Sequence, residues 1–132
     1  MGVQLKGGEV IELVSDLGGG KTAFVRGLAK GLGSSDLVAS PTFTISREYR
    51  ADRCDLHHYD FYRLSDPGVV RAELAESIED PKVSVAIEWA DIVQGVLPED
   101  RLTINIEQTG ENTRRFVIKA GPSHHHLTKA LS

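Results

Sequence analysis

The run Ser15-Asp16-Leu17-Gly18-Gly19-Gly20-Lys21-Thr22 sets three glycines directly before a lysine and a threonine. Glycines let backbone N–H groups converge on an anion without side chains in the way. A lysine after them reaches the β- and γ-phosphates of a nucleotide, and the hydroxyl that follows suits Mg²⁺. The run matches the P-loop pattern except at its first position, where Ser15 replaces glycine. The chemistry implied is the gripping of a triphosphate by Asp16, Leu17, Gly18, Gly19, Gly20, Lys21 and Thr22. The competing reading is a plain glycine turn between two elements.

Such a loop needs an acidic residue for the Mg²⁺ shell, supplied from the end of a neighbouring strand. Two residues qualify. Glu88 follows the apolar run Val83 to Ile87, and Asp60 follows His58-Tyr59. Alone, Glu88 reads equally well as a strand-end carboxylate in solvent, and Asp60 as a helix cap or a partner of Arg63. No Asn-Lys-x-Asp-like stretch for reading guanine is present, which disfavours a Ras-like GTPase.

These residues depend on the elements that hold them. Gly7-Gly8 predicts a turn and Val10 to Val14 a buried strand. From Lys21 onward, Val25, Leu28, Ala29 and Leu32 recur at helical spacing, with Gly33 as the stop. Strand, glycine loop and helix follow one another, which is the context a phosphate loop requires and weighs against the plain turn. Phe43 to Ser46 alternates toward Tyr49 as a strand, Arg50 to Arg53 reads as a hairpin tip, and Cys54 to Tyr59 returns. Ser65-Asp66-Pro67 predicts a helix start, with Val70, Leu74, Ala75 and Ile78 as its apolar face. Val83 to Ile87 is another buried strand, and Asp91 to Leu97 a short helix before Pro98. Leu102 to Ile106 and Arg115 to Lys119 flank the turn Thr109-Gly110-Glu111-Asn112 as a closing hairpin, and His124 to Leu131 reads as a terminal helix. A βα unit combined with hairpins predicts an α/β, P-loop NTPase-like, three-layer domain with a mixed, partly antiparallel sheet.

The 132 residues suit one domain, and residues 1–132 are read as a single P-loop domain. With 40% hydrophobic residues and 6% aromatics, aliphatic side chains must supply most of the core. The net charge of −4 argues against a stand-alone nucleic-acid binder. A single cysteine, Cys54, excludes an internal disulfide and a cysteine-rich metal site. No apolar run approaches the length of a membrane helix, and the N-terminus has no signal-peptide character. A cytoplasmic protein without a membrane partner is expected.

Four blocks then stand out in order: Asp16-Leu17-Gly18-Gly19-Gly20-Lys21-Thr22, Ser40-Pro41-Thr42-Phe43, His58-Tyr59-Asp60-Phe61-Tyr62-Arg63-Leu64 and Ile87-Glu88-Trp89. Together they resemble the TsaE (YjeE) family over about Gly8 to Ile118. The glycine loop is shared with many families, and the second and third blocks together are far more specific. The resemblance implies a small ATPase using ATP and Mg²⁺ in bacterial tRNA threonylcarbamoyladenosine synthesis. It would support turnover of the TsaB–TsaD transferase and meet tRNA only through that complex. It implies that Lys21, Thr42, Asp60 and Glu88 are catalytic, that Thr22, Asp60 and Glu88 face the metal, and that Trp89 sits beside the site. Tyr62 and Arg63 would order the site or face TsaD. Family members carry roughly one further strand and helix before the phosphate-loop strand. Here only nine residues precede Val10, and that shortness would expose a sheet edge or an apolar face and favour self-association.

Two other functions fit the residues: a non-catalytic, nucleotide-dependent assembly module, and a small-molecule kinase, which the lack of an arginine-rich lid disfavours. Arg47, Arg50 and Arg53 cluster at the hairpin tip, where RNA or TsaD would be the functional partner and a solvated face the bland one. His124-His125-His126 invites a metal, yet adjacent histidines diverge, so a solvated C-terminal segment is expected. Cys54 reads as structural, and His57 and His58 should face opposite sides of their strand.

Overall fold

The computed structural model describes residues 5–15, 21–33, 46–61, 68–88, 94–111 and 113–127. Along the chain come β1 (Val10–Ser15), α1 (Lys21–Leu32), β2 (Ser46–Tyr49), β3 (Asp55–Asp60), α2 (Gly68–Glu79), β4 (Val83–Glu88), β5 (Leu102–Gln108), β6 (Arg114–Ala120) and a 3-10 segment, Pro122–Leu127. The strands form one six-stranded sheet in the order β2-β3-β4-β1-β5-β6. The inner four run parallel, and β2 and β6 pair antiparallel at the two edges. This is the mixed, partly antiparallel sheet the sequence predicts.

Every residue of β4 is buried, as befits a parallel strand covered on both faces. Ile11, Leu13, Leu56, Ala86, Leu102 and Ile104 line one face and meet Val25, Leu28, Ala29 and Leu32 of α1. Val10, Tyr59, Val83, Val85 and Ile87 line the other and meet Leu74 of α2. The helical spacing in α1 therefore marks its core stripe. Gly33 ends that helix with φ 92°, the left-handed C-terminal position that glycine adopts without strain. Gly7 turns at φ 102° beside the Pro81 carbonyl, where a Cβ would collide.

The α2 face carries a polar residue the pattern did not mark. Ser77 is buried and shares hydrogen bonds with the Tyr59 hydroxyl at 2.7 Å and His57 Nδ1 at 2.9 Å. Leu74 and Ile78 pack as expected, while Val70's side chain and the Ser65-Asp66-Pro67 cap lie outside the described residues. Phe43 to Ile45 also lie outside them, so β2 is seen from Ser46. Of the short helix expected over Asp91 to Leu97, the first three residues are not described, and Gln94 to Val96 form a turn.

The C-terminal expectation is corrected. The described part is a 3-10 helix, Pro122–Leu127, with Thr128 to Leu131 outside the described residues, and two of its histidines hold the start of β1 instead of facing solvent. His124 is 2% exposed; its Nε2 accepts from the Val10 N–H at 2.9 Å, and its Nδ1 lies 3.2 Å from Asp100 Oδ1. A strand-start N–H inside the sheet needs an acceptor, and the imidazole supplies it. His126 Nε2 sits 2.7 Å from Glu9 Oε2. Glu9 is itself buried and accepts from the backbone N–H groups of Lys6 and Gly7 and from Ser84 Oγ at 2.6 Å. Burial pushes its carboxyl up, but the hydrogen bonds from Ser84, His126, Lys6 and Gly7 prevail and hold it below the ordinary range.

A carboxyl held lower in the folded chain than in the unfolded one stabilises the fold above its ordinary value of 4.5, and that contribution vanishes as pH falls through the lowered value. Glu9→Gln should therefore cost about 2–4 kcal/mol in urea unfolding at neutral pH. The variant should also show a shallower loss of stability below pH 4.5 than the parent, read from the same unfolding curves across pH.

Candidate functional site

Parallel pairing brings three strand ends to one edge. Asp60 of β3 lies directly opposite Glu88 of β4, and Glu88 lies opposite Leu13 of β1. β1 ends at Ser15 and α1 starts at Lys21, so the head of α1 stands at this same edge. In open α/β sheets that edge, at the carboxyl ends of the strands, is where ligands bind.

Strand alternation decides which side chains share a face with α1. Leu56 and Ala86 pack in the α1-side core. Two residues on from them, His58 and Glu88 lie on that same face, and Asp60 follows in the same column. His57 lies on the opposite face against Ser77, as expected for adjacent strand residues.

Glu88 is 3% exposed and His58 fully buried, with His58 Nε2 2.5 Å from Glu88 Oε2. Glu88 is thus not a carboxylate in solvent. His58 lies opposite Ala86 in the register, diagonal to Glu88, and the small Ala86 side chain leaves the imidazole room to cross. The other ring nitrogen, Nδ1, is buried and has no hydrogen-bond partner among the described residues. An unpaired buried polar atom costs about 1–3 kcal/mol, so this pair is not tuned for stability alone. Asp60 is half-buried beside it.

The other expected site residues divide as follows. Lys21 and Thr22 open α1, but their side chains lie outside the described residues, as do Asp16, Leu17, Gly18, Gly19, Gly20, Thr42, Tyr62, Arg63 and Trp89. Of the basic cluster at the hairpin tip, Arg53 donates through Nε to the Leu5 carbonyl. Cys54 is buried 3.8 Å from Ser84 Oγ, and burial pushes its thiol up, which fits the structural reading. Among the described residues no three His, Cys, Asp or Glu side chains gather as a metal cluster, and no helix is long and apolar enough to cross a membrane.

A family model, Threonylcarbamoyl adenosine biosynthesis protein TsaE, matches residues 1–116. The chain belongs to the TsaE family. A Bacillus subtilis (strain 168) protein named tRNA threonylcarbamoyladenosine biosynthesis protein TsaE is 39% identical over 128 residues, covering 96% of this chain and 80% of that one. A Nostoc protein of the same name is 45% identical over 94 residues, which cover 69% of this chain and 58% of the relative. The crystal structure of Bacillus subtilis YdiB superposes with a TM-score of 0.76 at 32% identity, covering 98% of this chain and 80% of that one. The fold is accordingly α/β and P-loop NTPase-like, and TsaE membership places the chain in tRNA threonylcarbamoyladenosine biosynthesis.

In this TsaE chain the spacing of His58 and Asp60 shows that both share a face. That His58 meets Glu88 follows only from the β3–β4 register. Filling the gap beside the ring tests that geometry. Ala86→Leu should push the imidazole off Glu88 and lower stability by about 1–3 kcal/mol, measured by chemical denaturation.

Proposed function

We propose that the chain is an ATP-binding and ATP-hydrolysing accessory subunit of the tRNA threonylcarbamoyladenosine machinery, supporting turnover of a TsaB–TsaD transferase. The observation that carries this is the adjacency of Asp60 and Glu88 at the sheet edge where α1 begins with Lys21 and Thr22. Family membership supplies the pathway. The protein works in the cytoplasm and meets tRNA through the complex.

The donor set suits the expected ligands. Two carboxylates side by side on adjacent strands repel one another, and a cation offsets that repulsion. The candidate donors, Asp60, Glu88 and the Thr22 hydroxyl, are all oxygen, the type that hard Mg²⁺ takes. Bound Mg²⁺ would neutralise phosphate charge. The protein's own groups do the rest. The backbone N–H groups of Gly18 to Thr22 and the start of α1 hold the phosphates. Lys21 adds a point charge on the outer phosphates. Asp60 and Glu88 divide between orienting the attacking water and facing the metal, and Thr42 completes the γ-phosphate side. Positioning of this kind is the main catalytic contribution in phosphoryl transfer.

The reading is tested by ATP turnover with and without TsaB–TsaD, together with ATP binding by calorimetry. The complex should raise turnover. Lys21→Ala should lose ATP binding. Glu88→Gln should keep binding and reduce turnover by about 100-fold or more. Binding without hydrolysis in the parent, in the complex as well as alone, would leave only a nucleotide-dependent assembly module.

A further inference from the structure

We infer that His58 is a positioning residue that fixes the Glu88 carboxylate through its Nε2–H, leaving the other carboxylate oxygen for the reaction. The inference rests on the proposed ATPase reading and adds to it a residue outside the set Lys21, Thr42, Asp60 and Glu88.

Three observations carry it. The contact is short, 2.5 Å between His58 Nε2 and Glu88 Oε2, and both residues are almost wholly buried. Among the described residues His58 is the side chain that holds Glu88, and it engages Oε2. Finally, Nδ1 of the ring has no partner among the described residues. A bare ring lone pair is more tolerable in a buried place than an unpaired N–H donor. The tautomer with the proton on Nε2 therefore fits: the ring donates to the carboxylate and Nδ1 stays bare.

The geometry explains why a histidine serves here. His58 reaches Glu88 diagonally, across the gap left by Ala86, while Asp60 occupies the position directly opposite Glu88. A carboxylate with a neighbouring carboxylate on the next strand is pushed away from it. A rigid, fully buried donor behind Glu88 opposes that push and limits the rotamers open to its side chain. Such supporting contacts orient the groups that react.

The test is a set of His58 variants in the full chain, assayed with TsaB–TsaD. His58→Leu removes the donor and should lower kcat about 10–100-fold, with KM for ATP and ATP affinity within about threefold of the parent. His58→Gln places an amide N–H near the Nε2 position and should recover most of that loss. His58→Asn, whose amide reaches only the Nδ1 position, should not. His58→Leu combined with Glu88→Gln should be no slower than Glu88→Gln alone, because the histidine acts through the carboxylate. In the nucleotide-free parent, ¹⁵N NMR of the ring should show the proton on Nε2, and Glu88→Gln should shift that resonance. Parental kcat in folded His58→Asn, no recovery in His58→Gln, or multiplying losses in the double variant would each overturn the inference. If His58→Leu does not fold, the Gln and Asn variants and the NMR signature decide it. A parent that binds ATP but never hydrolyses it would fail the ATPase reading instead, and the ring tautomer would still report on the His58–Glu88 contact.

Discussion

Parallel pairing of β3, β4 and β1 is the constraint on which the rest of the molecule depends. In a parallel sheet all strands leave from one edge, so the residues ending each strand are neighbours whatever their separation in sequence. Here that rule sets Asp60 beside Glu88 and both near the end of β1, from which the chain turns into α1. A slip of one residue between β3 and β4 would turn His58 and Asp60 to the α2 face and separate them from Glu88. The register is held by burial. Leu56 belongs to the α1-side core and Tyr59 to the α2-side core, so a slip would reverse both.

Two buried carboxylates, Glu9 and Glu88, are held in different ways at the two ends of the parallel strands. At the edge where β1 starts, the Glu9 carboxylate collects two backbone N–H groups, a serine hydroxyl and an imidazole, and His124 uses both ring nitrogens. That is how a buried charge becomes tolerable in a folded core. At the edge where β3 and β4 end, Glu88 has one described side-chain donor and His58 leaves a nitrogen unpaired. The first arrangement ties the C-terminal segment to the start of β1. The second pairs Glu88 with one described side chain, His58.

How legible this was in the sequence varies with range. Local signals worked well. The stripe of Val25, Leu28, Ala29 and Leu32 and the stop at Gly33 mark α1, and the largely apolar run from Val83 to Ile87, broken only by Ser84, marks β4. The succession of β1 and α1 is legible too, because an apolar strand run gives way to helical spacing from Lys21 onward. Groups that depend on distant partners were not legible. The burial of His124 follows from the strand-start N–H of Val10, 114 positions away in the chain. The three histidines do diverge, as the sequence suggests, but His124 and His126 turn to two separate acidic partners, Asp100 and Glu9, rather than into solvent. Ser77 falls on the apolar face of α2, and only the tertiary fold supplies Tyr59 and His57 to satisfy it.

The choice of histidine behind Glu88 has a physical logic that arginine, lysine, serine and asparagine lack. An arginine or lysine would hold the carboxylate as firmly, but would bring a permanent positive charge into a dry place. That charge would pair with Glu88 and lessen its pull on a cation or on the proton of a water. A serine or asparagine would stay neutral, but its shorter side chain would not span the diagonal from the His58 position to Glu88. The imidazole brings one N–H to Glu88 Oε2 at that reach. Holding that oxygen from inside the fold, it fixes how the carboxylate is presented at the edge where α1 begins.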